Sequence, residues 1–210
     1  NTVLTSFLDN NNNLWLGLDN GITFVNENSP FTYFGFSYNL STVYNSIIFK
    51  DYLYVATNQG VFYHSWKMPF TETAFQLVEG TTGQAWNLQI IDNQLFCAHN
   101  RGALLINENK TATTLDNNGY WNFKLIPSNP NFIIGANYSG LSIFEKTTKG
   151  WKYRNQLKGY DKSTNVIEID KNRVWFKKGE FVYKLKLSDD LKKINIEKKY
   201  KNINNTGKYI

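Results

Sequence analysis

The sequence predicts an all-β protein and, within that class, a β-propeller. Three observations carry the prediction: short apolar runs rich in β-branched and aromatic residues, an internal repeat, and a glycine turn at the same place in each repeat. Of 210 residues, 41% are hydrophobic, 16% aromatic and 19% charged, a globular composition that excludes general disorder. Four prolines beside 13 Tyr, 15 Phe and 6 Trp do not suit a helical bundle.

Each repeat supplies four strand candidates, A to D. In the first these are Val3–Leu8, Leu14–Leu18, Ile22–Val25 and Phe31–Phe36; in the second, Val43–Phe49, Leu53–Thr57, Val61–His64 and Ala74–Val78. The third reads Trp86–Ile91, Leu95–Ala98, Ala103–Ile106 and Thr111–Leu115, and the fourth Trp121–Ile126, Phe132–Ala136, Leu141–Phe144 and Trp151–Gln156. The fifth runs from Val166 to Lys199. Alternation such as Phe62, His64 and Trp66 against Val61, Tyr63 and Ser65 is the period of a half-buried antiparallel strand.

Glycines punctuate the B–C turns at 21, 60, 102, 140 and 179, with spacings of 39, 42, 38 and 39. That is the length of a four-stranded propeller blade. Gly following one or two polar residues, as in Asp19-Asn20-Gly21, predicts a tight hairpin with positive φ. Four residues before the first four glycines stand Gly17, Ala56, Ala98 and Ala136, where a neighbouring blade is expected to approach too closely for a larger side chain. The fifth turn, Val174 to Gly179, is two residues tighter and departs from that rule. The whole of 1–210 therefore reads as propeller, with repeats at about 1–40, 41–82, 83–118, 119–162 and 163–203, and 204–210 opening another. No strand is left over to close a ring, so the reading is a fragment of a six- to eight-bladed propeller, with a closed five-bladed ring as the alternative.

The sequence contains no run of 18 apolar residues, and Asn1 is not followed by a charged n-region and an apolar h-region, so neither a membrane-spanning helix nor a signal peptide is expected within it. One cysteine, Cys97, and two histidines, His64 and His99, exclude an internal disulfide and supply little for a zinc site or a Cys/His nucleophile. The net charge of +6 is uneven: residues 1–145 carry 5 basic and 10 acidic side chains, residues 146–210 carry 18 and 7. Lysines such as Lys184, Lys186, Lys192, Lys193, Lys198, Lys199 and Lys201 fall in strand-like segments, which fits solvated, protected sheet edges better than a nucleic-acid groove; an anionic partner or membrane surface is the alternative.

Residues Leu14-Trp15-Leu16-Gly17-Leu18-Asp19-Asn20-Gly21-Ile22, preceded by Leu8-Asp9-Asn10-Asn11-Asn12-Asn13, resemble the two-component regulator propeller repeat: an Asp-rich turn, Leu-Trp-Ile-Gly-Thr, a Gly turn and an apolar strand. The second repeat keeps its outline, and the later ones keep the spacing and apolar pattern. Such repeats form periplasmic sensor regions of Bacteroidetes regulators, either hybrid histidine kinases or membrane-anchored proteins with a triple-tyrosine β-sandwich and a cytoplasmic helix-turn-helix. Asn28-Ser29-Pro30-Phe31-Thr32-Tyr33-Phe34 and Asn58-Gln59-Gly60-Val61-Phe62-Tyr63 resemble the second type. The resemblance implies a periplasmic, non-enzymatic sensor that binds a small ligand, often a glycan fragment in related regulators, works as a homodimer and passes a conformational bias through the membrane, with no cofactor. A secreted or surface lectin, or an enzyme acting on polysaccharide, is the reading from another class.

The loops joining D to the next A, and B to C, share one face of a propeller. An aromatic-Asn pair opens three A strands there: Tyr44-Asn45, Trp86-Asn87 and Trp121-Asn122. Rings that stack on sugars beside amides that bond hydroxyls make a ligand platform, joined by Asn58, Gln84, Arg101, Tyr120 and Tyr138 from neighbouring loops; the alternative is that the rings fill the core and the Asn residues cap turns. Paired carboxylates for hydrolysis are scarce, with Asp9, Asp19 and Asp51 in turns and only Glu168 and Asp170 on an inner strand. Cys97 and His99 share one strand face but lack further metal ligands. Acceptor tripeptides for glycosylation at Asn39, Asn109, Asn137 and Asn204 are read as chance in a chain with 29 asparagines.

Overall fold

The computed structural model describes residues 2–25, 34, 38–68 and 75–201. Every named element is a β-strand, and no helix among the described residues is long and apolar enough to cross a membrane. The chain divides into two units, Asn1–Gly35 and Phe36–Ile210.

The first unit is an antiparallel meander of β1 (Val3–Leu8), β2 (Leu14–Leu18) and β3 (Gly21–Val25). The fourth strand expected over Phe31–Phe36 falls, apart from Phe34, outside the described residues, as does the segment 204–210. The β1–β2 turn explains its Asp-rich sequence. Asp9 Oδ1 accepts the Asn11 and Asn13 amides at 2.8 and 3.0 Å, while Oδ2 accepts Asn13 Nδ2 at 3.1 Å and the Trp15 indole at 3.1 Å. These donors hold the Asp9 carboxyl down at about 2, and Trp15 packs on Phe24 with ring centroids 4.9 Å apart.

The second unit holds four sheets, each a four-stranded antiparallel meander in chain order. They are β4 (Val43–Phe49), β5 (Tyr52–Thr57), β6 (Gly60–Ser65) and β7 (Gln76–Leu77); β8 (Ala85–Ile91), β9 (Gln94–His99), β10 (Gly102–Ile106) and β11 (Ala112–Asp116); β12 (Tyr120–Leu125), β13 (Phe132–Asn137), β14 (Gly140–Thr147) and β15 (Gly150–Gln156); and β16 (Glu168–Asp170), β17 (Arg173–Lys178), β18 (Phe181–Leu187) and β19 (Ile194–Lys201). This is the propeller fold, seen as consecutive blades.

The cores lie between blades. Tyr54, Ala56, Val61 and Val78 of the second sheet pack with Ala85, Leu88, Leu95 and Leu104 of the third. Phe96, Ala98 and Ala103 of the third pack with Tyr120, Phe123, Ile133 and Phe144 of the fourth. Ile134, Ala136, Leu141 and Ile143 of the fourth pack with Ile167, Val174, Phe176 and Leu185 of the fifth. The B strands β9 and β13 thus have a packed sheet on both faces, are buried along almost their whole length and read as continuous apolar runs. At the outer rim, Glu79 pairs with Thr111 and Lys158 with Lys193, joining the chain after one D strand to the start of the next blade's D strand. Lys110 closes the first of these seams: its ammonium lies 3.4 Å from the centre of the Tyr52 ring and donates to the Tyr54 hydroxyl at 2.8 Å.

The repeated small residues divide by cause. Ala56, Ala98 and Ala136 are fully buried in the three inter-blade clusters. Gly17 is different, because a Cβ there would lie 2.6 Å from Thr5 Cγ2 of its own sheet. The turn glycines divide too. Gly21, Gly60, Gly140 and Gly179 have positive φ, whereas Gly102 does not, and is glycine because a Cβ would lie 2.6 Å from the Asp116 carbonyl oxygen.

Candidate functional site

One device recurs in the A strands. In β4, Val43 faces Thr57 and Asn45 faces Ala56; in β8, Ala85 faces His99 and Asn87 faces Ala98; in β12, Tyr120 faces Asn137 and Asn122 faces Ala136. Tyr44, Trp86 and Trp121 are therefore the extra residues of three equivalent β-bulges, and a bulge re-aims the side chain it carries.

The re-aimed rings meet. Tyr44 and Trp86 centroids are 4.9 Å apart, Trp86 and Trp121 4.9 Å, and Trp121 and Tyr138 4.8 Å. Trp86 Nε1 donates to the Tyr138 hydroxyl at 2.7 Å and Trp121 Nε1 to Ser163 Oγ at 3.0 Å, so both indole donors are satisfied. The row stays open to solvent: Tyr44 is 41% exposed, Tyr138 37%, and both tryptophans are half-buried. Beside it, the side-chain oxygens of Asn45, Asn58, Asn100 and Asn122 are buried and accept no hydrogen bond among the described residues.

Of the residues singled out from sequence, the structure brings Tyr44, Trp86, Trp121 and Tyr138 into this row, with Asn45, Asn87 and Asn122 half-buried next to their aromatic partners. Gln84 is half-buried, and its carbonyl accepts the Asn100 amide at 2.8 Å; Arg101 is exposed in the adjoining β9–β10 turn. Tyr120 stands apart. It is fully buried in the core, stacked on Phe123 and bonded to Asp116 Oδ2 at 2.8 Å, because it precedes the bulge and faces inward. Burial pushes its hydroxyl pKa up.

Other candidates have structural roles. The His99 Nδ1 accepts the Arg101 amide at 3.1 Å, as Thr57 Oγ1 accepts that of Gln59 at 3.0 Å and Asn137 Oδ1 that of Ser139 at 2.9 Å. Three different side chains thus close the same B–C turn. Cys97 is fully buried and its thiol pKa is pushed up by burial; among the described residues no three His, Cys, Asp or Glu side chains gather to hold a metal. Glu168 is exposed and ion-paired with Lys124 at 2.9 Å.

Sequence reasoning missed the cleft at one end of the row, about 320 Å³, lined by Trp121, Ser163, Thr164, Asn165, Lys177, Lys178 and Gly179. The only signal for it in the sequence was the departure of the fifth B–C turn from the repeat, and that turn is not shorter than the others: Lys178 pairs with Phe181 as Thr57 pairs with Gly60.

No protein-family model matches the sequence, and neither does any curated protein. Solved structures do match. The extracellular domain of a one-component system of B. thetaiotaomicron superposes with a TM-score of 0.56 at 16% identity, over 95% of this chain and 28% of that one. The extracellular domain of a hybrid two-component system of the same organism gives 0.53 at 14% identity, over 83% and 25%. An ancestral GH74 enzyme gives 0.50 at 13%, over 75% and 24%. These likenesses show a shared fold. The chain spans about a quarter of the length of these structures.

Proposed function

We propose that this chain is part of an extracytoplasmic sensor propeller of a membrane-anchored transcriptional or two-component regulator, located in the periplasm and binding a small, glycan-derived ligand. The observation that carries the reading is the open row Tyr44, Trp86, Trp121 and Tyr138, set by three bulges on one face. Aromatic faces accept the apolar faces of sugar rings, and the adjacent Asn and Gln side chains supply directional polar contacts. The extracellular origin of the structural neighbours supports the location and the sensor role. Binding across several blades would bias their relative packing, the conformational change such a regulator transmits as a homodimer through its full ectodomain.

The test is titration with neutral oligosaccharides, cellohexaose and xylohexaose, read by tryptophan fluorescence and thermal shift. Saturable quenching that disappears in Trp86→Ala and Trp121→Ala supports the reading. Absence of any response to a broad panel of plant and host glycans overturns it.

A further inference from the structure

The fifth blade breaks the repeat at two adjacent positions, and both are lysines on the cleft beside Trp121. The register identifies them. Lys177 pairs with Val182 as Ala56 pairs with Val61, Ala98 with Ala103 and Ala136 with Leu141. Lys178 pairs with Phe181 as Thr57 pairs with Gly60, His99 with Gly102 and Asn137 with Gly140. In the other three sheets of the second unit the first position is a small buried residue packed between sheets and the second closes the turn through its side chain, while the first sheet has Gly17 and Leu18 there. Here Gly179, with φ of 58°, makes the turn from its own backbone freedom, and neither lysine is needed for it.

The surroundings define a chemistry. Lys178 Nζ donates to the Ser163 carbonyl at 2.8 Å, which places the ammonium at the wall of the cleft and leaves two of its three donors. Thr164 is 4% exposed, and its hydroxyl is buried with no hydrogen-bond partner among the described residues. Among the described residues no carboxylate lines the cleft; Asp161 and Glu180, the nearest along the chain, are outside it. Two cations, hydroxyl and amide donors and no anion make a receptor for an acid group, and Trp121 is shared between this cleft and the aromatic row.

We infer that the cleft receives the acid group, carboxylate or sulfate ester, of an anionic saccharide whose neighbouring ring lies on Trp121. This deepens the proposed function and rests on it.

Isothermal titration at 150 mM salt compares hexasaccharides of galacturonate (carboxylate only) and of κ-carrageenan (sulfate ester only) with neutral cellohexaose and xylohexaose, in the wild type, Lys177→Gln/Lys178→Gln, Lys177→Gln and Thr164→Val. The expected result is that at least one acidic probe binds about ten-fold or more tighter than the neutral ones. That preference shrinks to within about two-fold in the double lysine variant, weakens in the single variants and falls with added salt, while neutral affinity is unchanged. The probe that shows the preference identifies the acid group. Lys177 is exposed, so Lys177→Gln tests the cleft without disturbing the Lys178 contact. Acidic and neutral probes binding equally, or a preference that survives both lysine substitutions, overturns this inference and leaves the aromatic platform standing. Failure of every probe overturns this inference, and failure of the broad glycan panel as well overturns both.

Discussion

The Trp86 indole donates a 2.7 Å hydrogen bond to the hydroxyl of Tyr138, joining the first strand of one blade to the B–C turn of the next. Trp121 lies between them, 4.9 Å from one ring and 4.8 Å from the other. This is a surface arrangement, so its removal should cost binding more than stability. Trp86→Ala and Trp121→Ala are each expected to abolish oligosaccharide binding while lowering the melting temperature by about 2–4 °C, the shift that roughly 1 kcal/mol produces in a chain of this size. Differential scanning fluorimetry beside the titration decides it; a fall several times larger would make the rings core residues.

Tyr120 should behave in the opposite way. It is fully buried between the third and fourth sheets, so Tyr120→Ala is expected to cost about 3–5 kcal/mol in urea unfolding, as large-to-small core substitutions do. Tyr120→Phe keeps the packing on Phe123 and Phe144 and loses the hydroxyl's bond to Asp116 and its contacts with Ser142 and Asn137, so about 1 kcal/mol is expected. Ligand affinity in Tyr120→Phe should match the wild type, and a loss of binding without a loss of stability would return Tyr120 to the site.

The contrast between Tyr120 and Trp121 shows what the sequence carried. Strand positions were readable because period-two alternation and turn glycines are local: β1, β2 and β4 have the expected limits, and most other strands lie within one or two residues of theirs. Of the outer strand expected over Ala74–Val78, Ala74 lies outside the described residues and β7 covers Gln76–Leu77. The aromatic-Asn pairs were visible as a pattern, yet a bulge is a fact of register, which depends on the partner strand. Without it, Tyr120 and Trp121 look alike. The fifth turn misled for the same reason, since Gly179 matches the other glycines in spacing while Phe181 matches them in pairing.

Asp9 gives a pH prediction for the first unit. Its native pKa is lowered from the ordinary 3.8 to about 2 by the Asn13 amide first, then by the Trp15 indole and the Asn13 side chain. A depressed carboxyl favours the folded turn wherever the unfolded group would already be ionised, so the contribution is full above about pH 4 and is lost as pH falls towards 2. The Trp15 indole proton followed by NMR should titrate with a midpoint near pH 2 and lose that step in Asp9→Asn. A midpoint near 4 would show that the turn does not hold the carboxylate.

His99 gives the corresponding prediction inside the blades. Its Nδ1 accepts the Arg101 amide, so the proton sits on Nε2, which donates to the Thr81 carbonyl at 3.2 Å. A second proton would set an N–H against the Arg101 N–H in a buried place, and burial lowers the native pKa below the ordinary 6.5. The unfolded chain therefore takes up the proton first. Stability from this group is full above pH 6.5 and declines as pH falls below it, before the carboxylates titrate. His99→Asn keeps an acceptor in the turn, as Asn137 does one blade later, and does not titrate. Urea unfolding at pH 7.5 and 5.5 should show the wild type losing more stability than His99→Asn between the two; equal losses would mean that the imidazole is protonated at no cost in the folded blade.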